Sequence, residues 1–293
     1  MRFLLSTFLA TRTFGQIIGG RKLVFQFPPK IEVIPSILLA QALQRRPIAI
    51  VHDLDYLRNI RNHGLLFTSD PRGLRMLRHS TVVVHEGRMS DLLNKHNIFP
   101  KAYIQYWPHL LKNKPNMEDN PQGFGEVSPI LIYAGNLNLK KCRFIEDLDQ
   151  LKRSIALYGT GNFEIKSKNI SLHPPFMDAI PPKLSAPALG LIWDGDSINS
   201  LQGTYGEYQK MNLPAKLSLY LAIGIPVVVS IESNMAKFVK QEGIGICVQN
   251  LLQIPITFSS EQWRFYRENV QRLSQEIFKG SDLITAFKNL EIS

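Results

Sequence analysis

Cysteine is nearly absent from this chain: Cys142 and Cys247 are the only two in 293 residues. Two thiols that far apart make neither a disulfide framework nor a metal-binding set, and they suit a reducing cytosol. A membrane-spanning run is absent too. The longest apolar stretch, Leu217 to Ile231, is broken by Gly224 and Pro226, and it is too short to cross a bilayer. Met1 to Ala10 is only faintly like a signal peptide. Its apolar core is short, and Thr11-Arg12-Thr13 follows without a clear small-residue cleavage site, so it reads as a helix of a first domain. Repeats of solenoid period are missing. Acid is scarce in one half. Residues 1–124 carry 17 Lys and Arg against 8 Asp and Glu, whereas residues 125–293 carry 17 against 16. The net charge of +10 therefore sits almost wholly in the first half. There is no helix-turn-helix, zinc or aromatic RNA-binding signature, so nucleic acid is not the expected partner.

What is present is a soluble globular composition, 44% hydrophobic and 20% charged, long enough for two α/β domains. Strand-like Lys22–Phe27, Pro47–Val51 and Ser80–Val84 alternate with helical Ile34–Leu43, 71–79 and Arg88–Asn94, the pattern of a parallel sheet. Residues 112–128 are polar, with Pro and Gly, and read as a linker. A second alternating series begins at Ile130–Ala134 and continues through a helix at Phe144–Arg153 and strands at Ile155–Tyr158, Leu189–Trp193 and Ile225–Val229. Ser260 to Phe278 has helical apolar spacing at Trp263, Tyr266, Val270, Leu273 and Ile277, with a shorter helix at 282–290. The expected domains are 1–124 and 125–293, two doubly wound Rossmann-like sheets facing across a cleft. Ligands of open α/β sheets gather at the carboxyl ends of strands.

The richest segment is Tyr208 to Ser230. Pro214 suits a first helical position with Asn212 or Leu213 as cap, which would put Lys216 in the first turn, where backbone N–H groups and the helix dipole favour an anion. Spacing alone fits an ordinary αβ unit with a solvated lysine equally well. Gly135-Asn136-Leu137 ends a strand, and glycine there lets the backbone approach a ligand closely. Gly159 lies in Tyr158-Gly159-Thr160-Gly161, also at a strand end, where a simple turn is the competing reading. Trp193-Asp194-Gly195-Asp196 offers an Asp-x-Asp, too few carboxylates by themselves for a hard cation. Gln202 to Tyr208 reads as a Gly/Tyr loop, with Tyr205 and Tyr208 able to stack on a base or to pack by their edges. In the first half, His52 and Asp53 follow a strand, with Asp55 next. The pair suits a general base, or a helix cap with a neighbouring histidine. His85-Glu86 and His109 are rivals. Arg72, Arg75 and Arg78 make a basic stripe on a helix, echoed by Arg58 and Arg61, that is either a solvated face or an attraction to an anionic surface.

In order from about Phe25 to about Val248, these segments resemble a family of bacterial sugar-nucleotide-dependent glycosyltransferases, of the galactofuranosyltransferase and glucosyltransferase 3 type. Lys141-Cys142-Arg143-Phe144 is similar to the family's Lys-Ser-x-Phe, with two extra residues before the lysine. Tyr208, Asn212, Pro214 and Lys216 stand in the frame of its Tyr…Asn-Asn-Pro-His-Lys, with Leu213 and Ala215 in place of the second Asn and the His. The resemblance implies the GT-B fold and transfer of a hexosyl group, galactofuranosyl or glucosyl, from a UDP-sugar to a saccharide or lipid-linked saccharide acceptor of a surface polysaccharide or glycoprotein. It implies an inverting reaction with no metal and no cofactor beyond the donor. The donor contacts would be Gly135, Asn136, Lys141 (with Lys140 second), Gly159, Asp194, Gly195, Tyr205, Tyr208, Asn212 and Lys216. The base would be Asp53, beside His52. Relatives of this kind carry another strand and helix before the Phe25 segment, so the first domain is expected to be trimmed at its start. The alternative reading is a catalytically impaired sugar-nucleotide-binding subunit. The expected location is cytoplasmic, peripheral at the inner face of the plasma membrane, with self-association left open.

Overall fold

The hydrophobic periodicity of the first half becomes a parallel sheet. In the computed structural model, the residues described are 19, 21–54, 71–85, 87–107, 125–161, 164–165, 167–175 and 186–292. Strand β1 (Val24–Phe27) alternates exposed and buried side chains, as an edge strand covered on one face does. Helix α1 (Ile34–Ala42) has a proline in its first turn, where a missing N–H costs nothing. Strand β2 (Ile48–Val51) is buried throughout. Helix α2 (Pro71–Arg78), strand β3 (Thr81–His85), helix α3 (Arg88–Lys95) and strand β4 (Ala102–Ile104) complete the series. The four strands lie in the order β1-β2-β3-β4, all parallel.

The second series starts with β5 (Glu126–Val127) and β6 (Ile130–Asn136). A short helix α4 (Leu139–Cys142), capped by the Asn138 side chain on Lys140 N–H, leads into a 3-10 stretch at Arg143–Leu151. Then come β7 (Ile155–Thr160), β8 (Ile170–His173), β9 (Ala188–Ile192), helix α5 (Gly203–Gln209), helix α6 (Ala215–Ala222), β10 (Val227–Ser230), helix α7 (Ala236–Glu242), β11 (Gly245–Val248) and β12 (Phe258–Ser259). Helix α8 (Ser260–Lys279) is capped by Ser259 and buries Trp263, Tyr266, Val270, Leu273 and Ile277, the face its spacing predicts. Helix α9 (Ser281–Ile292) ends the series. Six strands form a parallel sheet in the order β11-β10-β9-β6-β7-β8. Strand β6 is laid down first, β7 and β8 go to one side, and β9 to β11 go to the other. That reversal makes β6 and β9 neighbours at a topological switch point, where α/β sheets open a crevice for ligands. Leu131, Tyr133, Phe144, Leu189, Trp193 and Trp263 lie in the core of this sheet.

Met1–Ile104 with Ala286–Ser293 form one compact unit, and Gln105–Thr285 the other. The sequence placed the junction at 124/125; the units part earlier because Gln105 to Trp107 bond within the second unit. Gln105 N–H donates to Asp282 Oδ2 at 2.5 Å, Trp107 N–H to Ser218 Oγ at 2.9 Å, and Trp107 Nε1–H to Leu213 O at 2.9 Å.

Three further expectations are corrected. Gln202 to Tyr208 is not a loop, because Gly203–Gln209 is helical. Gly206 permits this: a Cβ there would sit 2.7 Å from the Leu201 backbone, so only glycine lets the turn close on it. Pro214 is the cap of α6, with φ −65° and ψ 137°, so neither Asn212 nor Leu213 fills that position. The segment after Cys142 winds as a 3-10 helix and not as an α-helix. The short strands β4, β8 and β11 have too few residues for periodicity to show. The expected helix at the first residues lies outside the described ones.

Candidate functional site

Helix α6 is fixed before its lysine is placed. Tyr220 is fully buried, and its hydroxyl accepts from Ala134 N–H at 2.7 Å and reaches Ile132 O at 3.2 Å, both on β6. Gly190 of β9 makes room, since a Cβ there would stand 2.6 Å from the Tyr220 ring. Trp107 holds Leu213 O on one side of Lys216 and Ser218 on the other. With both ends of the first turn held, the Lys216 side chain is directed across the ends of β6 and β9.

There it is not solvated, as an exposed helix start would leave it. Lys216 is 8% exposed. Its ammonium donates to Asp194 Oδ1 at 2.7 Å and lies 4.0 Å from the centre of the Tyr133 ring, a cation–π contact. Tyr133 Oη–H donates to the same carboxylate oxygen at 2.9 Å. The other oxygen of Asp194 is 3.8 Å from Lys141 Nζ. Asp194, 7% exposed, is pinned through its backbone N–H to Gln209 Oε1 at 2.5 Å, and Gln209 Nε2 donates in turn to Ile192 O at 2.8 Å. Gly195 N–H donates to Lys141 O at 2.8 Å, so the loop after β9 and helix α4 are stitched together.

The electrostatics follow from burial and charge. Burial pushes the Asp194 carboxyl up, but the ammonium groups of Lys216 and Lys141, with hydrogen bonds from Lys216 and Tyr133, outweigh it and hold it below the usual carboxylate range. Burial pulls Lys216 down to about 8, against the opposing pull of Asp194. Burial pushes the Cys142 thiol up to about 11, so it stays protonated. Burial, then the neighbouring Asp194, lifts the Tyr133 phenol well above its ordinary value. At neutral pH the cluster is two ammonium groups around one carboxylate, with a net positive charge.

Several predicted residues meet here. Gly135 and Asn136 form the exposed end of β6. Gly135 has φ +152°, and a Cβ on it would stand 3.1 Å from Lys216 Cε, so glycine leaves the space beside the ammonium open. Asn136 Oδ1 accepts from Asn138 N–H at 2.9 Å, which leaves its amide nitrogen as the donor for a ligand. Gly195, at φ +112°, packs against Gln202 O. Gly159 belongs to the frame, because a Cβ there would run into Gly135 O at 2.0 Å. Asn212 is half-buried, and its Oδ1 is buried with no hydrogen-bond partner among the described residues.

Other predicted residues are not brought to the cluster as the sequence suggested. Tyr208 is 3% exposed and presents no open stacking face, and Tyr205 is half-buried on α5. The carboxylate of Asp196 lies over the start of α5, where a Cβ on Gly203 would meet it at 2.0 Å, whereas Asp194 faces the lysines. The Asp-x-Asp therefore does not converge. Among the described residues no group of three or more His, Cys, Asp or Glu could hold a metal. In the first unit, His52 and Asp53 follow β2, half-exposed, with their N–H groups on Phe27 O at 3.0 and 3.5 Å. Burial lowers the His52 imidazole and Asp53 pulls it the other way. His85 is buried at the end of β3. Asp55, Arg58, Arg61, Glu86 and His109 lie outside the described residues.

Sequence reasoning missed Tyr133 as the floor under Lys216 and Gln209 as the anchor of Asp194. The period of two along β6 was a usable signal for Tyr133, since it puts Tyr133 and Gly135 on one face. Nothing local marks Gln209.

Two parallel α/β sheets, the second with a cationic cluster at its switch point, define a protein of the GT-B fold class. The crystal structure of Anabaena Alr3699/HepE in complex with UDP shares this fold at a TM-score of 0.55 and 11% identity, over 97% of this chain and 80% of that one. The chain belongs to the family described as glucosyltransferase 3-like, C-terminal domain, whose model matches residues 131–289; it is a glycosyltransferase. It is 29% identical over 273 residues to the beta-1,6-galactofuranosyltransferase WbbI of Escherichia coli (strain K12), covering 88% of this chain and 76% of the relative. It is also 28% identical over 96 residues to glucosyltransferase 3 of Streptococcus gordonii, covering 33% of this chain and 28% of that protein.

Proposed function

We propose that the protein transfers a hexosyl group, galactofuranosyl or glucosyl, from a UDP-sugar to a saccharide acceptor, with inversion and without a metal. The observation that carries this reading is the pairing of Lys216 and Lys141 beside the open backbone of Gly135 at the β6–β9 switch point. As the glycosidic bond of the donor breaks, negative charge builds on the leaving diphosphate. Fixed cations in a site shielded from water lower the energy of that charge without reorganising. A divalent metal has no vacant carboxylate in the cluster, since both oxygens of Asp194 face ammonium groups. The half-buried Asn212, with an unanswered acceptor, suits a donor group of the nucleotide or sugar.

Inversion needs a base to take the proton from the acceptor hydroxyl as the new bond forms. Asp53, at the carboxyl end of β2, is assigned that role, with His52 as its neighbour. The acceptor is read as a lipid-linked saccharide of surface-polysaccharide synthesis, handled at the cytoplasmic face of the plasma membrane. WbbI, by its name a galactofuranosyltransferase, supports the sugar, and the UDP held by HepE supports the nucleotide. A pocket of about 310 Å³ at the amino ends of β1 and β2 supports the membrane reading. Arg21, Lys22, Arg45 and Arg46 line it, and none of its lining residues is acidic. No helix among the described residues is long and apolar enough to cross a membrane.

The test is calorimetric titration with UDP. Lys141→Ala is expected to weaken UDP binding about tenfold, the worth of one charge-assisted contact, while uridine binding stays unchanged. Equal UDP affinity in the variant and the parent would remove the cluster from the donor site. Release of UDP from a UDP-hexose without acceptor distinguishes an enzyme from a binding subunit.

A further inference from the structure

We infer that Asp194 makes no contact with the donor and is instead the fixed counter-ion that holds the ammonium groups of Lys216 and Lys141 side by side. This rests on the donor-site reading above and assigns Asp194 as a positioning residue. The geometry puts its carboxylate on the inner side of the cluster. One oxygen takes hydrogen bonds from both Lys216 and the Tyr133 hydroxyl, and the backbone N–H is held by Gln209. An arriving phosphate has the outer side, where Gly135 and Asn136 are exposed. The carboxylate cannot rotate out to meet it without breaking the bonds from Lys216 and Tyr133.

The two lysines then divide the work. Lys216 is short-bonded to Asp194 and buried; Lys141 is 3.8 Å from the carboxylate with 30% of its side chain exposed. The weaker contact is the one a phosphate can exchange. Lys141 turns to the ligand and Lys216 stays in place, offering its charge through the opening at Gly135. Without Asp194, the two ammonium groups would repel each other, and the buried Lys216 would lose its proton more readily. The groups facing Lys216 are Tyr133 from β6, Lys141 and Cys142 from α4, and Asp194 from the loop after β9. Tyr133 and Cys142 are neutral at pH 7, so Asp194 is the anion among them.

The experiment follows the Lys216 ammonium by lysine side-chain NMR from pH 6 to 10, assigned with Lys216→Arg, on the full chain without nucleotide. The parent is expected to titrate near 8. Asp194→Asn should lower the midpoint by a unit or more, and Lys141→Ala should raise it, since a like charge is removed. UDP titrations at pH 6, 7 and 8 form the second arm. Asp194→Asn should bind UDP nearly as the parent does at pH 6 and at least about fivefold more weakly at pH 8, as the protonated share of Lys216 falls. An unshifted Lys216 midpoint in both variants overturns the inference, as does an equal loss of UDP affinity by Asp194→Asn at every pH, the mark of a direct donor contact. If Asp194→Asn does not fold, Asp194→Ser takes its place and should move the Lys216 midpoint in the same direction. A shifted midpoint with no UDP binding by the parent would overturn the donor-site reading and leave the counter-ion role standing.

Discussion

At the carboxyl end of the second sheet, one carboxylate is bonded to an ammonium group and a phenol, with a second ammonium group 3.8 Å away. At the carboxyl end of the first sheet, His52 and Asp53 follow β2 half-exposed, their backbone tied to Phe27. The same topological position is thus built in two ways. A group that must stabilise charge gains from burial and preorganisation, because a dry, fixed cation acts more strongly than a hydrated one. A group that must accept a proton from an incoming hydroxyl has to remain within the reach of that hydroxyl.

The widest gap between the two ends is expected from Asp53→Asn. Amide substitution keeps the shape and removes the proposed base, so turnover should fall by about 10²–10⁴-fold with UDP affinity unchanged. Steady-state rates against a lipid-linked acceptor, beside calorimetry with UDP, check this. A parallel fall in UDP affinity would make the two strand ends a single donor site and end the comparison.

Much of the order of strands and helices was legible because strands stand out as short unbroken apolar runs and helices as one-sided apolar spacing. The buried runs of β2, β6 and β9 and the one-sided α8 are examples. The lysines proposed for the donor were legible as residue types at strand and helix ends. Their electrostatic setting was not. That Lys216 is buried against Asp194 depends on strand order, since 22 residues separate the two in sequence and the β6–β9 neighbourhood brings Tyr133 beneath both. Helix α5 hid behind two glycines, which read as loop until Gly206 is seen closing on Leu201.

The next effect is on stability. Lys216→Ala leaves Asp194 with only the Tyr133 hydroxyl and the longer Lys141 contact, and is expected to cost up to about 3–5 kcal/mol, the range for removing one partner of a buried ion pair. Urea denaturation would measure it. Lys216→Met combined with Asp194→Asn removes both charges and should recover most of that loss, while UDP binding stays weak. This separates what the pair does for the fold from what it does for the ligand. Recovery of UDP binding along with stability would show that the lysine acts only through folding, and the contrast between a charge-stabilising end and a proton-accepting end would lose one side. Asp53→Asn, made as the control at the half-exposed end, should leave the denaturation midpoint nearly unchanged.

The smallest effect concerns a third location, the amino ends of β1 and β2. Asp194 sets one negative charge against the two cations of the second-unit cluster. The pocket lined by Arg21, Lys22, Arg45 and Arg46 has no acid in its lining, although Arg46 also donates to Arg78 O and Ser80 O at 2.9 and 3.3 Å. Arg46 is therefore partly structural and is the wrong residue to change. Arg21→Glu with Lys22→Glu spares it. Each basic residue near an anionic bilayer contributes about 1 kcal/mol, so the double reversal should reduce binding to phosphatidylserine vesicles by about tenfold or more in co-sedimentation. Raising the salt from 0.1 to 0.5 M should weaken the parent protein toward the same level, because the Debye length shrinks below the reach of surface charges. UDP affinity should not change, since the pocket lies in the first unit and the lysine cluster in the second. Vesicle binding that survives both the substitutions and the salt would assign membrane contact to apolar surface instead, and the excess positive charge of the first half would then be a solvated face.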